Sequence, residues 1–256
     1  VRIQSEIKVE VRKKIIGGPA PLICIPLVAE EKNALLDHAA TVEPLQPDLV
    51  EWRIDNYQGV EDTADCLAVL DALRAAIGDT PLIFTCRIEA EGGMQPISQQ
   101  TRRALIQAAI RSGGVDMVDI ELINDESFIA DIRHTAGRHG VKLILSYHDF
   151  RKTPDEAFIF DTLRRAQALG ADVAKVAVMP TGYPDVLTLL KATLKARTEA
   201  VNIPMAAMSM AREGAVTRMA GGLFGSDITF ALGPASTAPG QIPIGDLRQA
   251  MALLYP

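Results

Sequence analysis

Eight short apolar, β-branched runs recur at fairly even intervals, and this rhythm limits the fold more than any other feature. They are PLICIPL (21–27), PDLVEWRI (47–54), PLIFTCR (81–87), VDMVDIEL (115–122), VKLILSY (141–147), DVAKVAV (172–178), IPMAAMSM (203–210) and SDITFAL (226–232). Bounded by turn residues, such runs read as buried strands. The segments between them carry helix grammar. DTADCLAVLDALRAAIG (62–78) spaces its apolar residues by three and four and ends on glycine; SQQTRRALIQAAIRSGG (98–114) opens on Ser98 as N-cap and stops at a glycine pair. TPDEAFIFDTLRRAQALG (153–170) offers Thr153 as cap, Pro154 in the first turn and Glu156 three residues after the cap, and 183–200 follows the same pattern. Eight strand–helix units in 256 residues predict an α/β chain folded as one (β/α)₈ barrel, residues 1–256, without a linker or second domain. A doubly wound open sheet would use the same elements, but no G-x-G-x-x-G or Walker A run supports its usual nucleotide chemistry. The first sixteen residues precede the first strand and predict a hairpin closing the barrel's bottom.

Composition narrows the function. Net charge is −6 with no basic block, which argues against nucleic acid or an anionic membrane as partner. No apolar stretch reaches the ~20 residues that span a bilayer. The opening VRIQSEIKVEVRKKII has no signal-peptide apolar region. Cys24, Cys66 and Cys86 are an odd number without metal-ligand spacing, as expected of reduced thiols in a cytoplasmic protein.

A barrel gathers its chemistry at the carboxyl ends of its strands. Those ends carry Glu51, Arg53 and Asp55; Arg87; Asp119 and Glu121; Tyr147 and His148; and Lys175. Glu51, Arg53 and Asp55 alternate and so share a face, with Trp52 and Ile54 on the other; Asp119 and Glu121 do the same. Inward charges of both signs form either a structural ion-pair network or a polar ligand site. Lys175, inside an apolar strand, is either a snorkelling or salt-bridged lysine or a nucleophile for carbonyl compounds, since burial favours the neutral amine. His148 on the preceding strand tips the balance towards chemistry, because imine formation needs a proton shuttle titrating near neutrality. His38, His134 and His139 lie in helix-like, exposed stretches. Dispersed cysteines and the absence of H-E-x-x-H speak against a metal. Arg218, in the glycine-rich stretch 212–241, is a candidate for gripping a substrate anion, and the segment after it reads as a lid or an ordinary loop.

These residues together resemble the type I 3-dehydroquinate dehydratases, the Schiff-base enzymes of the shikimate pathway. The resemblance rests on DLVEWRID (48–55), FTCR with EGG (84–87, 91–93), DIEL (119–122), SYHDF (146–150), AKVAVMP (174–180), MSM (208–210), TRMAGGLFGS (217–226) and APGQIP (238–243). It implies a barrel enzyme, usually a homodimer, with no metal or organic cofactor and 3-dehydroquinate as its small-molecule partner. It also implies that Lys175 forms the imine, that His148 is the general acid–base group and that Glu91 hydrogen-bonds it. Arg218 would hold the substrate carboxylate beside a lid containing Thr237 and Gln241, and Glu51, Arg53 and Arg87 would grip ring hydroxyls. Two positions depart from the family pattern: Thr237 replaces the lid serine, and Pro26 replaces a serine near the end of the first strand. A class I aldolase-like barrel on a phosphorylated sugar and a non-catalytic hydroxy-acid sensor are the competing readings.

Overall fold

The computed structural model describes residues 2–233, 236 and 238–255. The chain opens with an antiparallel hairpin, β1 (Val9–Val11) and β2 (Lys14–Ile16). Eight strand–helix units follow: β3 (Leu22–Leu27) and α1 (Lys32–Val42), β4 (Leu49–Arg53) and α2 (Thr63–Ile77), β5 (Leu82–Thr85) and α3 (Gln99–Ser112), β6 (Met117–Glu121) and α4 (Glu126–His139). The second half adds β7 (Lys142–Asp149) and α5 (Glu156–Ala168), β8 (Val173–Val178) and α6 (Tyr183–Glu199), β9 (Met205–Ser209) and α7 (Ala215–Ala220), and β10 (Ile228–Phe230) and α8 (Ile244–Leu254). β10 pairs with β3, and the parallel ladder then runs without interruption from β3 to β9, giving a nearly closed (β/α)₈ barrel.

The period-two alternation of each strand sorts its residues into two cores. Outward side chains such as Val50, Trp52, Phe84, Val118, Leu145 and Val176 join the helices in the larger core, where Trp52 meets Phe84 edge-to-face at 5.6 Å. Inward side chains at the amino ends of the strands, among them Cys24, Leu49, Ile83, Met117, Ile144, Val173 and Ile228, pack against Val9, Val11 and Ile16 of the hairpin. The hairpin therefore stoppers the bottom of the barrel, as the sequence predicts.

The ring closes differently between β9 and β10. No ladder joins these strands among the described residues. Instead the Met205 amide donates to Asp227 Oδ2 at 2.8 Å and the Ala207 amide to Ser226 Oγ at 3.0 Å. Asp227 is fully buried and paired with Arg2 and with Arg197, the latter at 2.6 Å. The seam thus combines one backbone hydrogen bond, from the Asp227 N–H to the Met205 carbonyl at 2.5 Å, with side-chain bridges in place of a regular ladder.

Helix starts follow the sequence with one correction. Asp62 and Ser98 cap α2 and α3 by accepting backbone N–H groups. Helix α5, however, begins at Glu156, and its cap is Asp155, whose carboxylate accepts from the Phe158 amide at 2.8 Å. Thr153 lies before the helix, and its hydroxyl donates to the Met179 carbonyl. Among the described residues, no helix is long and apolar enough to cross a membrane. All three cysteines are buried and free, and burial pushes the Cys66 and Cys86 thiols up to about 12.

Candidate active site

The inward positions change character from the bottom to the top of the barrel. Two residues beyond the apolar plug lie Glu51, Thr85, Asp119, Ser146 and Lys175, and two residues further on lie Arg53, Arg87, Glu121 and His148. Because alternation is strict, a sequence such as MVDIE must place Asp119 and Glu121 on the face of Met117. A cavity opens above them. Its walls include Lys175, His148, Glu91, Glu51, Arg53, Arg87, Arg218 and Gln241, together with Phe150, Met208, Met210 and Phe230. Eight of the nine residues to which the resemblance assigns a role line this one cavity; the ninth, Thr237, lies outside the described residues.

Most charges here are already compensated. Lys175 Nζ lies 2.8 Å from Asp119 Oδ2 and 3.5 Å from Glu51 Oε1, above the Phe230 ring at 4.4 Å. The lysine is buried and salt-bridged, as the first of the two readings of the sequence has it. Arg87 contacts Asp119 at 2.9 Å and Glu121 at 3.0 Å. Glu51 also accepts from the Thr85 hydroxyl at 2.8 Å. Arg53 forms a two-pronged pair with Asp55, both contacts at 2.8 Å. Asp55 itself sits in the turn after β4, where it also accepts from the Arg87 and Met94 amides and thereby anchors the loop carrying Glu91.

His148 and Glu91 form a dyad at the mouth. Glu91 Oε2 accepts from the His148 amide at 2.8 Å and lies 3.0 Å from Nδ1. A proton on Nδ1 directed at this oxygen leaves Nε2 as the accepting nitrogen. Burial, reinforced by Arg87 and Lys175, pushes His148 well below its ordinary value, so the ring is neutral and ready to take a proton. Burial pushes Glu91 up to about 8, against the pull of Arg87. Glu91 ends a single 3₁₀ turn, and Gly92 follows at φ 86° with the Phe150 ring over it; a Cβ there would lie 2.4 Å from the ring. The glycine after Glu91 thus lets Phe150 close the back of the dyad.

Arg218 is the exception to compensation. Carried on α7, it is 2% exposed, and no carboxylate lies within ion-pair distance among the described residues. Its guanidinium donates to the Phe230 carbonyl at 3.1 Å and the Pro239 carbonyl at 3.2 Å, while Nε has no hydrogen-bond partner. Burial pushes it down to about 10. A buried cation held by carbonyls and the Met208 sulfur, with no carboxylate beside it among the described residues, is a site for an anion. The loop above docks through Gly240 (φ 75°), where a Cβ would strike the Ala211 carbonyl oxygen at 1.9 Å, and this approach brings Gln241 to the cavity wall.

Some expectations need correction. Tyr147 points away from the cavity, stacking edge-to-face on Phe158 of α5 at 5.2 Å. His134 and His139 are exposed as expected, but His38 is half-buried. Arg102 escapes the sequence reading altogether. It is 2% exposed, reaches Glu121 Oε2 from α3 at 2.5 Å, and so braces the carboxylate that holds Arg87. A signal existed, because Leu105, Ile106 and Ala109 at i+3, i+4 and i+7 put Arg102 on the buried face of its helix.

Fold and site together define a (β/α)₈-barrel enzyme whose polar groups converge on one lysine-bearing cavity. The model of the type I 3-dehydroquinase family matches residues 23–256, so the chain belongs to that family. A 3-dehydroquinate dehydratase of Geobacillus thermodenitrificans is 42% identical over 247 residues, covering 96% of this chain and 95% of the relative. The crystal structure of 3-dehydroquinate dehydratase from Geobacillus kaustophilus superposes with a TM-score of 0.95 at 45% identity, covering 99% of this chain and 98% of that one. The type I enzyme from Clostridium difficile, solved with covalently modified comenic acid, gives a TM-score of 0.94 at 38% identity and covers 98% of each chain.

Proposed function

We propose that this chain dehydrates 3-dehydroquinate to 3-dehydroshikimate, the hydro-lyase step of the shikimate pathway, through an imine on Lys175. The carrying observation is one cavity that collects a buried lysine, a neutral histidine on the Glu91 carboxyl group, and an arginine without a counter-charge among the described residues. The covalently modified comenic acid of the Clostridium difficile relative supports covalent chemistry in this family.

The residues then have distinct tasks. Arg218, helped by the Thr237–Gln241 lid, takes the substrate carboxylate. Glu51, Arg53 and Arg87 orient the ring hydroxyls. Lys175 Nζ adds to the ketone carbon and expels water, leaving an iminium. The iminium is a stronger electron sink than the ketone, so His148 can remove the adjacent α-hydrogen and leave an enamine. The enamine's electrons expel the β-hydroxyl, which takes the proton from His148 and departs as water. Water then hydrolyses the conjugated iminium, releasing the enone and restoring the lysine. Glu91 keeps His148 in one tautomer throughout. The chain acts as a single catalytic domain over residues 1–256, without metal or organic cofactor; as in the family it resembles, the working unit is a homodimer. The buried free thiols suit a cytoplasmic setting.

Two measurements test this. Incubation with 3-dehydroquinate should generate the ultraviolet absorbance of a conjugated enone. Borohydride added during turnover should inactivate the enzyme, with the reduced adduct mapping to the peptide containing residues 171–180. An adduct on Lys142 or Lys191 would remove Lys175 from the mechanism.

A further inference from the structure

We infer that Asp119 is a further catalytic residue: it is the counter-ion of the iminium on Lys175 and fixes the plane of that iminium against His148. The inference rests on the imine reading of Lys175.

A lysine ammonium has three N–H groups, whereas the iminium formed from it has one. Of the carboxylates flanking Nζ, Asp119 is at hydrogen-bond distance, 2.8 Å, while Glu51 is at 3.5 Å and already accepts from Thr85. The single iminium N–H therefore falls to Asp119. Since C=N is rigid and planar, pinning its N–H fixes which face of the neighbouring carbon meets His148. Asp119 is itself immobile. It is fully buried on β6, accepts from Ser146 Oγ at 2.6 Å, and contacts Arg87 at 2.9 Å.

The surroundings also keep it anionic. Burial works against ionisation, but Arg87 and Lys175 more than offset it and hold Asp119 well below the ordinary carboxylate range. Asp119 is thus no proton shuttle. It is a fixed charge aimed where the cation persists through the α-hydrogen transfer. Among the described residues the other carboxylate near Nζ is Glu51, which is farther, at 3.5 Å, and shares its near oxygen with the Thr85 hydroxyl. Cys24 lies beneath with its thiol pushed well up by burial, and His148 carries no negative charge.

The test is Asp119→Asn, which keeps shape and removes charge. Arg87 retains Glu121 at 3.0 Å and Ser146 at 2.7 Å, so substrate grip should survive and KM change little. kcat should fall roughly 100-fold, as when one preorganised electrostatic partner is removed. The decisive readout is cyanoborohydride trapping against pH, because this reagent reduces the protonated iminium. Native enzyme should trap substrate on Lys175 evenly from neutral to moderately alkaline pH. In Asp119→Asn the yield should fall as pH rises, and Asp119→Glu should restore the even profile. A folded Asp119→Asn enzyme that traps evenly with native kcat overturns the inference, as does an unfolded Asp119→Asn together with Asp119→Glu showing the falling profile. Failure of the imine reading looks different: native enzyme then gives no adduct on Lys175 at any pH.

Discussion

Replacing Arg218 separates affinity from stability more cleanly than any other change in this cavity. The guanidinium is 2% exposed and held down to about 10 by burial alone. A drop of that size corresponds to about 3 kcal/mol of uncompensated desolvation. The sign follows from linkage: a cation with a depressed folded value costs stability fully at every pH below that value, so the cost is present at neutral pH. Two hydrogen bonds to carbonyls, about 1.5 kcal/mol each for a charged donor, offset it. Arg218→Met, apolar and similar in length, should therefore leave the melting temperature of the unliganded protein within a few degrees of native. Binding should respond differently. Losing a charge-assisted partner of a substrate carboxylate costs about 2–5 kcal/mol, a rise in KM of roughly 30-fold to several thousand-fold. Steady-state kinetics and differential scanning fluorimetry on the same preparation decide the matter. Unchanged KM in a folded variant, or a loss of stability matching the loss of affinity, would show that Arg218 is structural.

Other outcomes follow from the dyad and the seam. His148→Ala should lose at least about 10²–10⁴-fold in turnover yet accumulate a substrate adduct on Lys175 visible by intact mass, whereas Lys175→Ala should show neither; near-native turnover would give the base role to another group. Because His148 must be neutral to accept a proton and burial lowers it, the acid limb of kcat/KM should fall below 6.5, the ordinary histidine value; a limb above that value would contradict the neutral ring. Asp227→Asn leaves Arg197 and Arg2 buried without a counter-charge, and should cost about 3–5 kcal/mol, read as a melting temperature lower by roughly 10 °C. No change there would mean the seam is held by something other than its carboxylate.

The sequence discloses the site better than its supports. Strands buried on both sides must be short and apolar, so eight of them stand out, and strict alternation carries Glu51, Asp119 and Lys175 inward without knowledge of the tertiary structure. Helix α5 shows the limit of local grammar: Thr153 and Asp155 both suit a cap, and the carboxylate wins by accepting from the Phe158 amide. The seam is illegible in principle, since Arg2, Arg197 and Asp227 meet only after the barrel closes. Arg102 was legible, being an arginine on an apolar helical stripe, but charge is easily taken for solvent exposure. The surplus charge on Arg218 cannot be read from one dimension, because the lack of a counter-charge among the described residues is a property of three-dimensional neighbourhoods.

The hairpin stopper has a kinetic meaning. With Val9, Val11 and Ile16 packed on the lowest inward layer, the cavity is a vessel with one door. The incoming ring and the departing ring must use the same doorway, so they cannot pass one another. Turnover is therefore strictly alternating traffic, in which a lingering product blocks the next arrival. Product inhibition of this enzyme should accordingly be competitive with substrate, and anything that holds the loop at Gly240 against Ala211 should slow entry and exit together.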